Sequence, residues 1–423
     1  MLSKKLTIDN VPHLIKGSRV LIRADFNVPL KEAASGALEI TDTKRIVSTL
    51  PTINYCLENG AKSVVIMSHL GRPAGNPTPK FSLNPVVPAL SDFLERKVNF
   101  LSDCVGKQVE QTCGEAKNGE VILLENLRFH RAEEGKGEVN GEKVKASTEE
   151  VAAFRRSLSS LGDMYVNDAF GTAHRAHSSM VGIDHETRAA GFLLKKELDY
   201  FSKVLESPER PLTVVMGGAK VKDKIQLIMN MLDIVDEMII GGGMAFTFNK
   251  VLNETPIGDS LYDAEGAELV PDILAKAAQK GVQIHLPTDF VCADHFSADA
   301  QVKTRTEKCG IEDGWLGLDI GPQTILSNRK VIQRAKTIFW NGPQGVFEMK
   351  PFAKGSLAML DVICEATAKG ATSVAGGGDT VALLKKVDGA AEKLSHVSTG
   401  GGASLELVEG KLLPGVVALS DRT

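Results

Sequence analysis

Several signatures are missing from this 423-residue sequence, and each absence removes a class of function. No run of roughly 18 consecutive apolar residues occurs, so no segment reads as a membrane-crossing helix. The opening MLSKKLTIDNVPHLIKGS has two early lysines but no apolar run of signal-peptide length behind them. The closing Ser420, Asp421, Arg422 and Thr423 are not a peroxisomal address. A cytoplasmic location is therefore expected. An excess of basic residues is missing too: the net charge is −4 and the pI about 6.2, so neither nucleic acid nor an anionic membrane is an expected partner. Any binding of phosphate has to be local.

The six cysteines (56, 104, 113, 292, 309 and 364) form no CxxC pair and no Cys/His spacing of a zinc site, and are expected to be reduced and packed. There is no GxxxxGK[ST], which excludes a P-loop, and no HRD or DFG set of a protein kinase. The glycine run GGGMAF fails the GxGxxG spacing of a dinucleotide turn.

What is present is length for two or three domains, 40 clustered glycines and a regular alternation of patterns. Apolar, β-branched runs recur in SRVLIRADFN, AKSVVIMSHL, EVILLENLRF and DMYVNDAF, then in PLTVVMGG, EMIIGGG, VQIHLPTDF, TIFWNGP, TSVAGGGDT and SHVSTGGG. These read as buried strands. Helical spacing lies between them, over Thr43 to Glu58, Asn84 to Arg96, Glu149 to Leu161, Ala264 to Lys280 and Ala353 to Ala368. The alternation predicts an α/β protein of parallel sheets covered by helices. The amphipathic segment from Gly191 to Pro208 reads as a connecting helix between domains. Residues 131 to 145 read as a surface loop without chemistry.

Ligands of open parallel sheets bind beyond the carboxyl ends of the strands, so the polar residues there carry the functional signal. In the first half they are Arg23, Asp25 and Asn27, then His69 and Arg72, then Arg128, then Asp168 with His174 and Arg175; Arg45 follows on a helix. Arginine suits planar recognition of carboxylate and phosphate, so the cluster predicts a small polyanionic substrate. The two histidines are open between substrate contacts and structural roles.

In the second half the same positions hold glycine: 217–218, 241–243, 376–378 and 400–402. Glycine lets backbone amides approach phosphate oxygens, and a following helix adds its positive end. A nucleotide is expected there. Lys220 and Lys224 are expected to share a face of the next helix around an anion. Asp379 either caps its helix or holds Mg²⁺ through oxygen.

RADFNVPL, SHLGRP, ENLRF, VNDAFGTAHRAHSS, GGAKVKDKI, EMIIGGGMAFTF, WLGLDIGP, WNGPQGVFE, GGGDT and HVSTGGGASLELVEGK together resemble phosphoglycerate kinase over essentially the whole chain. The resemblance implies two Rossmann-like lobes, each a parallel sheet flanked by helices, joined by an interdomain helix and hinge. The first, residues 1–190, holds 3-phosphoglycerate, and residues 406–423 return to pack on it. The second, 191–405, binds the nucleotide and includes the interdomain helix 191–207. It further implies substrate contacts from Asp25, Phe26 (through its backbone), Asn27, Arg45, His69, Leu70, Gly71, Arg72, Arg128 and Arg175. ATP or ADP contacts are expected from Lys224, Gly242, Gly317, Asn341, Glu348, Gly377, Gly378, Asp379 and Thr380, with Glu348 accepting from ribose hydroxyls and Asp379 binding nucleotide-bound Mg²⁺. Catalysis is assigned to Arg45, Lys220 and the amides near Gly378 and Gly401.

One departure stands out, Gln344 where a small or apolar residue is expected, and it bears on the shape of the nucleotide pocket. The loop between Pro29 and Ile40 carries no assigned function. Hinges are expected near Gly191 and near Ser398 to Gly402. A monomer is expected. A dehydrogenase would need the absent GxGxxG turn, and a non-catalytic scaffold would have lost Arg45, Lys220 or Asp379.

Overall fold

The computed structural model describes residues 1–422 except 34, 35 and 37. Part of the Pro29 to Ile40 loop, and Thr423 of the returning tail, thus lie outside the described residues. The chain forms two compact units. One comprises Met1–Asp199 together with the tail from Leu412, and the other Tyr200–Lys411. The division falls inside the helix Phe192–Leu205, after Asp199 rather than at 190, and the tail begins at 412 rather than 406.

The first unit is built on a six-stranded parallel sheet. Its spatial order is Arg188–Ala190, Met164–Asn167, Arg19–Arg23, Ser63–Met67, Glu120–Leu124, Val98–Leu101. Ser63–Met67 is buried at every residue. Helices cover both of its faces, so its sequence runs apolar without alternation. The helix Lys44–Glu58 buries Ile46, Thr49, Ile53 and Cys56, a spacing of three and four that lays one stripe on the sheet. The tail is tied into this unit by Leu6 N–H donating to Ser420 (2.8 Å), Arg422 N–H to Lys4 (2.7 Å) and a Lys5–Asp421 ion pair (2.9 Å).

The second unit repeats the plan with the order Gln283–His285, Glu237–Ile240, Leu212–Met216, Thr337–Asn341, Thr372–Ala375, His396–Val397. In each sheet the earliest strand in sequence lies inside the sheet with later strands on both sides. The chain therefore changes direction across the sheet beside Arg19–Arg23 and beside Leu212–Met216. Such switch points leave a crevice at the carboxyl ends.

Two regions depart from the sequence expectation. A second, antiparallel sheet of Val302–Thr306, Asp289–Ala293 and Leu316–Ile320 stands in the second unit, so its strands are not all parallel. Residues 131 to 145 are no loop: a short helix, Arg131–Glu134, leads into the hairpin Lys136–Val139/Glu142–Lys145, closed at Asn140 and Gly141, both at positive φ. Charged side chains along both strands hide the hairpin from a search for apolar runs, although Asn-Gly is itself a hairpin signal. No helix among the described residues is long and apolar enough to cross a membrane.

Candidate functional site

In the first unit the strand Arg19–Arg23 delivers Asp25 to the crevice. Its carboxylate is bonded by the Arg45 guanidinium, which the first turn of Lys44–Glu58 brings over, and its other oxygen lies 3.9 Å from His69 Nδ1. Arg23 is fully buried and donates from Nε to Ser179 (2.9 Å), while its Nη2 stands 3.3 Å from His69 Nδ1. A guanidinium only donates, so Nδ1 is the acceptor and the His69 proton sits on Nε2. Burial, then Arg23, Arg128 and Arg45, hold the His69 imidazole well below its ordinary value. His177 is lowered to about 3 by burial and then by Arg128, Arg23 and Arg175. Both rings are neutral at physiological pH because burial, and after it the cationic field, disfavours a charge on them.

Gly71 is the node of the neighbouring loop. Its N–H donates to Asn27 Oδ1 (2.9 Å) and its carbonyl accepts from Arg128 Nη1 (2.9 Å). Its φ of +63° and the Phe81 ring, 2.3 Å from where a Cβ would stand, leave room only for glycine. Leu70 is buried and its carbonyl accepts from Asn126 (2.7 Å). Phe26 lies in the core with its N–H on Ser68 Oγ (2.8 Å), so only its backbone faces the loop. Burial chiefly lowers the Arg128 guanidinium from its usual value. Arg72 and Arg175 remain exposed. Asp168, also noted at a strand end, turns elsewhere: it is fully buried and Oδ1 accepts from Leu193 N (2.9 Å) and Leu194 N (3.2 Å), holding the start of Phe192–Leu205.

In the second unit the strand ends line a cavity of about 450 Å³. Among its walls are Gly218, Gly242, Gly317, Gln344, Glu348 and Asp379. Lys224 bonds Asn341 Oδ1, and Asn341 in turn donates to Gly376 O (3.0 Å). Burial lowers the Lys224 ammonium from its ordinary value, with Asp379 opposing. Thr380 is buried and its hydroxyl accepts from Gly342 N (2.8 Å), which ties two glycine loops together. Gly377 precedes the helix Gly378–Lys385 at φ +93°, and a Cβ there would stand 2.7 Å from Asn341 Nδ2. Gly401 is the residue before the helix Gly402–Val408. Glu348 is exposed.

The lysine pair does not share a helix face. Lys220 lies in the loop before a 3₁₀ turn, Lys222–Lys224, whose start is pinned by Lys222 N–H on Asp263 (3.0 Å). Lys224 folds inward to Asn341 while Lys220 stays exposed. The capping role for Asp379 also falls away: Gly377 occupies the cap with no side-chain bond, and the Asp379 carboxylate is exposed at the cavity. Among the described residues Asp379 belongs to no group of three or more His, Cys, Asp or Glu ligands. That suits Mg²⁺, which keeps water and takes nucleotide phosphates around one carboxylate.

The chain matches the family model described as Phosphoglycerate kinase over residues 8–411. It is 69% identical over 423 residues to "Phosphoglycerate kinase" of Sterkiella nova, covering 100% of both chains, and 59% identical over 421 residues to that of Gallus gallus, covering 99% of each. Its fold is similar to the solved phosphoglycerate kinase of Coxiella burnetii, with a TM-score of 0.86 at 38% identity over 98% of both chains. The chain belongs to the phosphoglycerate kinase family.

Within this phosphoglycerate kinase fold, several supporting residues were not legible as site residues. Asn126 bonds Leu70 O, Phe81 O (2.9 Å) and Arg128 N (3.0 Å). Glu133 accepts from Ser179 N (2.9 Å) and Oγ (2.6 Å) behind Arg23. Asn126 sits in ENLRF at a strand end, so the same positional rule reaches it. Glu133 lies outside any strand end, and only the fold brings it there. Asp319, in the cavity wall, is pushed up to about 7 by burial, and accepts from Gly355 N (2.7 Å) and Ile320 N (2.9 Å).

Proposed function

We propose that the chain catalyses the reversible transfer of a phosphoryl group from 1,3-bisphosphoglycerate to ADP, giving 3-phosphoglycerate and ATP. The observation that carries this reading is the cationic crevice of the first unit, where Arg23, Arg45 and Arg128 gather about Asp25, His69 and Gly71, in a chain of the phosphoglycerate kinase family. The His69 ring, held so far below its ordinary value, is a poor proton acceptor. A carboxylate acceptor is already ionised at physiological pH and needs no group to take a proton from it.

Asp25, Asn27, Arg72, Arg128 and Arg175 bind the phosphoglycerate, with His69 donating from Nε2 and the Phe26, Leu70 and Gly71 backbone shaping the loop. Arg45, carried over the crevice by its helix, stabilises charge on the moving group. On the nucleotide side Gly242 and Gly317 line the cavity and Asn341 positions Lys224, Glu348 accepts from the ribose, Lys224 and the Gly377–Thr380 helix start meet the phosphates, and Lys220 reaches the transferred group. Mg²⁺ held by Asp379 would neutralise phosphate charge. The amides near Gly378 and Gly401 supply further donors. Catalysis is then alignment and charge stabilisation, with no base to deprotonate anything.

An in-line transfer requires the two ligands to meet, so the units close around them, bending near Gly191 and Ser398 to Gly402. Small-angle scattering without compaction on adding both substrates counts against closure. The chain is read as a cytoplasmic monomer. The function is tested by incubating purified protein with 3-phosphoglycerate and MgATP, coupled to an aldehyde-phosphate dehydrogenase, with and without chelator. Magnesium-dependent turnover is expected; a folded, nucleotide-binding protein without turnover refutes the reading.

A further inference from the structure

Away from both crevices, the first unit brings an acid, a thiol and an imidazole to one point. The side-chain donor atoms of Asp103, Cys104 and His130 all lie within 4.8 Å of one another. His130 Nε2 is 2.7 Å from Asp103 Oδ1. We propose that Asp103, Cys104 and His130 form a three-ligand site for a soft divalent cation of the zinc class, distinct from the nucleotide's magnesium.

Three features favour the site. The donor set is mixed oxygen, sulfur and nitrogen, the combination that selects zinc-like ions over magnesium or calcium, which take oxygen. Donors of a tetrahedral site stand roughly 3 to 4 Å apart, so closing on an ion needs a shift of about 1 Å or less. The second feature is access. Cys104 lies buried in the apolar cluster with Leu21, Val65, Met67 and Val109, whereas the Asp103 and His130 side chains are 50% and 33% exposed. Those two also line an open cavity of about 660 Å³ beside Ser102 and Phe129, which leaves a route in and a position for water.

The third feature is orientation. The His130 ring packs on Phe154 with centroids 5.3 Å apart, and Asp103 Oδ1 is fixed by the Cys104 N–H at 2.6 Å. Burial holds the Cys104 thiol well above its ordinary value, so without a cation it is an inert packed group and not a nucleophile. The site also touches the substrate loop. His130 N–H donates to Leu127 O (3.1 Å), closing the 3₁₀ turn that carries Arg128, so an ion on His130 braces that turn.

The test titrates the full chain, under reducing conditions, with Co²⁺ as the probe, following thiolate-to-cobalt charge-transfer absorption. The expected result is a band that saturates at one Co²⁺ per chain, is displaced by Zn²⁺ and survives excess Mg²⁺. Cys104→Ser abolishes it with magnesium-dependent turnover retained, while Cys309→Ser, which removes the exposed cysteine, leaves it unchanged. His130→Gln, at a partly exposed ring, weakens Co²⁺ binding at least tenfold and keeps the test decisive if serine in the core weakens folding. Absence of the band at millimolar Co²⁺, or a band that persists in Cys104→Ser, overturns the proposal.

Discussion

The two units present the same strand-end crevice and fill it in opposite ways. The first lines it with the charged side chains of Asp25, Arg45 and Arg128 about a neutral His69, held by buried Arg23, Asn126 and Glu133. The second lines it with glycine backbone at Gly218, Gly242, Gly243 and Gly317 set among apolar side chains such as Phe246, Leu261 and Phe290, with Glu348 and Asp379 as charged groups in its wall. A compact acid with fixed geometry is read by guanidinium forks, whereas a chain of phosphates is met by amides that only glycine lets close in. Adding an atom at a glycine is therefore a probe suited to the second site.

The largest effects are expected at the exposed cation in each unit that is proposed to meet the transferred group. Arg45→Ala and Lys220→Ala should each lower kcat by about 10³-fold, about 4 kcal/mol, with unchanged thermal unfolding. Near wild-type turnover in either removes that residue from catalysis. Gly377→Ala tests the other half: a methyl forced to φ +93° against Asn341 should cost about 1 to 3 kcal/mol and raise KM for the nucleotide. Its KM for phosphoglycerate should stay put, and a rise there instead would break the division of labour.

Acid sensitivity sharpens the contrast. Asp168 in one unit and Asp319 in the other are both pushed up to about 7 by burial, against roughly 3.9 in an unfolded chain. Between these values the native state holds the extra proton, so the contribution of each to stability is full below about pH 4 and is lost as pH rises to about 7. Asp168 accepts both backbone bonds on Oδ1, so Asp168→Asn should keep them and flatten this slope, faring better at pH 7.5 than at pH 5 by on the order of a few degrees in Tm. Asp319 uses both oxygens, so Asp319→Asn sets an amide against one N–H and should destabilise at either pH. Parallel melting curves of the two variants would refute this difference.

Legibility followed the same divide. Buried parallel strands such as Ser63–Met67 and Leu212–Met216 announce themselves as continuous apolar runs, and helix Ala264–Lys280 lies where its spacing puts it. Val302–Thr306, with the sequence VKTRT, is partly exposed and polar, so the antiparallel sheet escaped a search for apolar runs. Strand-end position brought out Asp25, His69 and Arg128. It also brought out Asp168, whose task of holding a helix start depends on a partner over twenty residues away, which no local pattern encodes. The lysine pair misled because helical spacing was assumed for a segment that is loop and 3₁₀ turn.

Gln344 tests whether a buried neutral amide adds to the charged side chains, Lys220, Lys224, Glu348 and Asp379, proposed to meet the nucleotide. The side chain is 1% exposed, its Nε2 makes one long bond to Met216 O (3.4 Å), and Oε1 is packed against Gly241 without a hydrogen-bond partner. Met216 O already accepts from Gly241 N at 2.8 Å, so losing the amide strands nothing. Its backbone, held by Ser356 Oγ at 2.9 Å, is untouched by substitution. Gln344→Val removes a buried, unsatisfied carbonyl and should change stability by less than about 1 kcal/mol. KM for the nucleotide should move by less than roughly threefold, since a change of that size is under 1 kcal/mol. A tenfold rise would mean that the amide touches the nucleotide and belongs with the side chains proposed to read it.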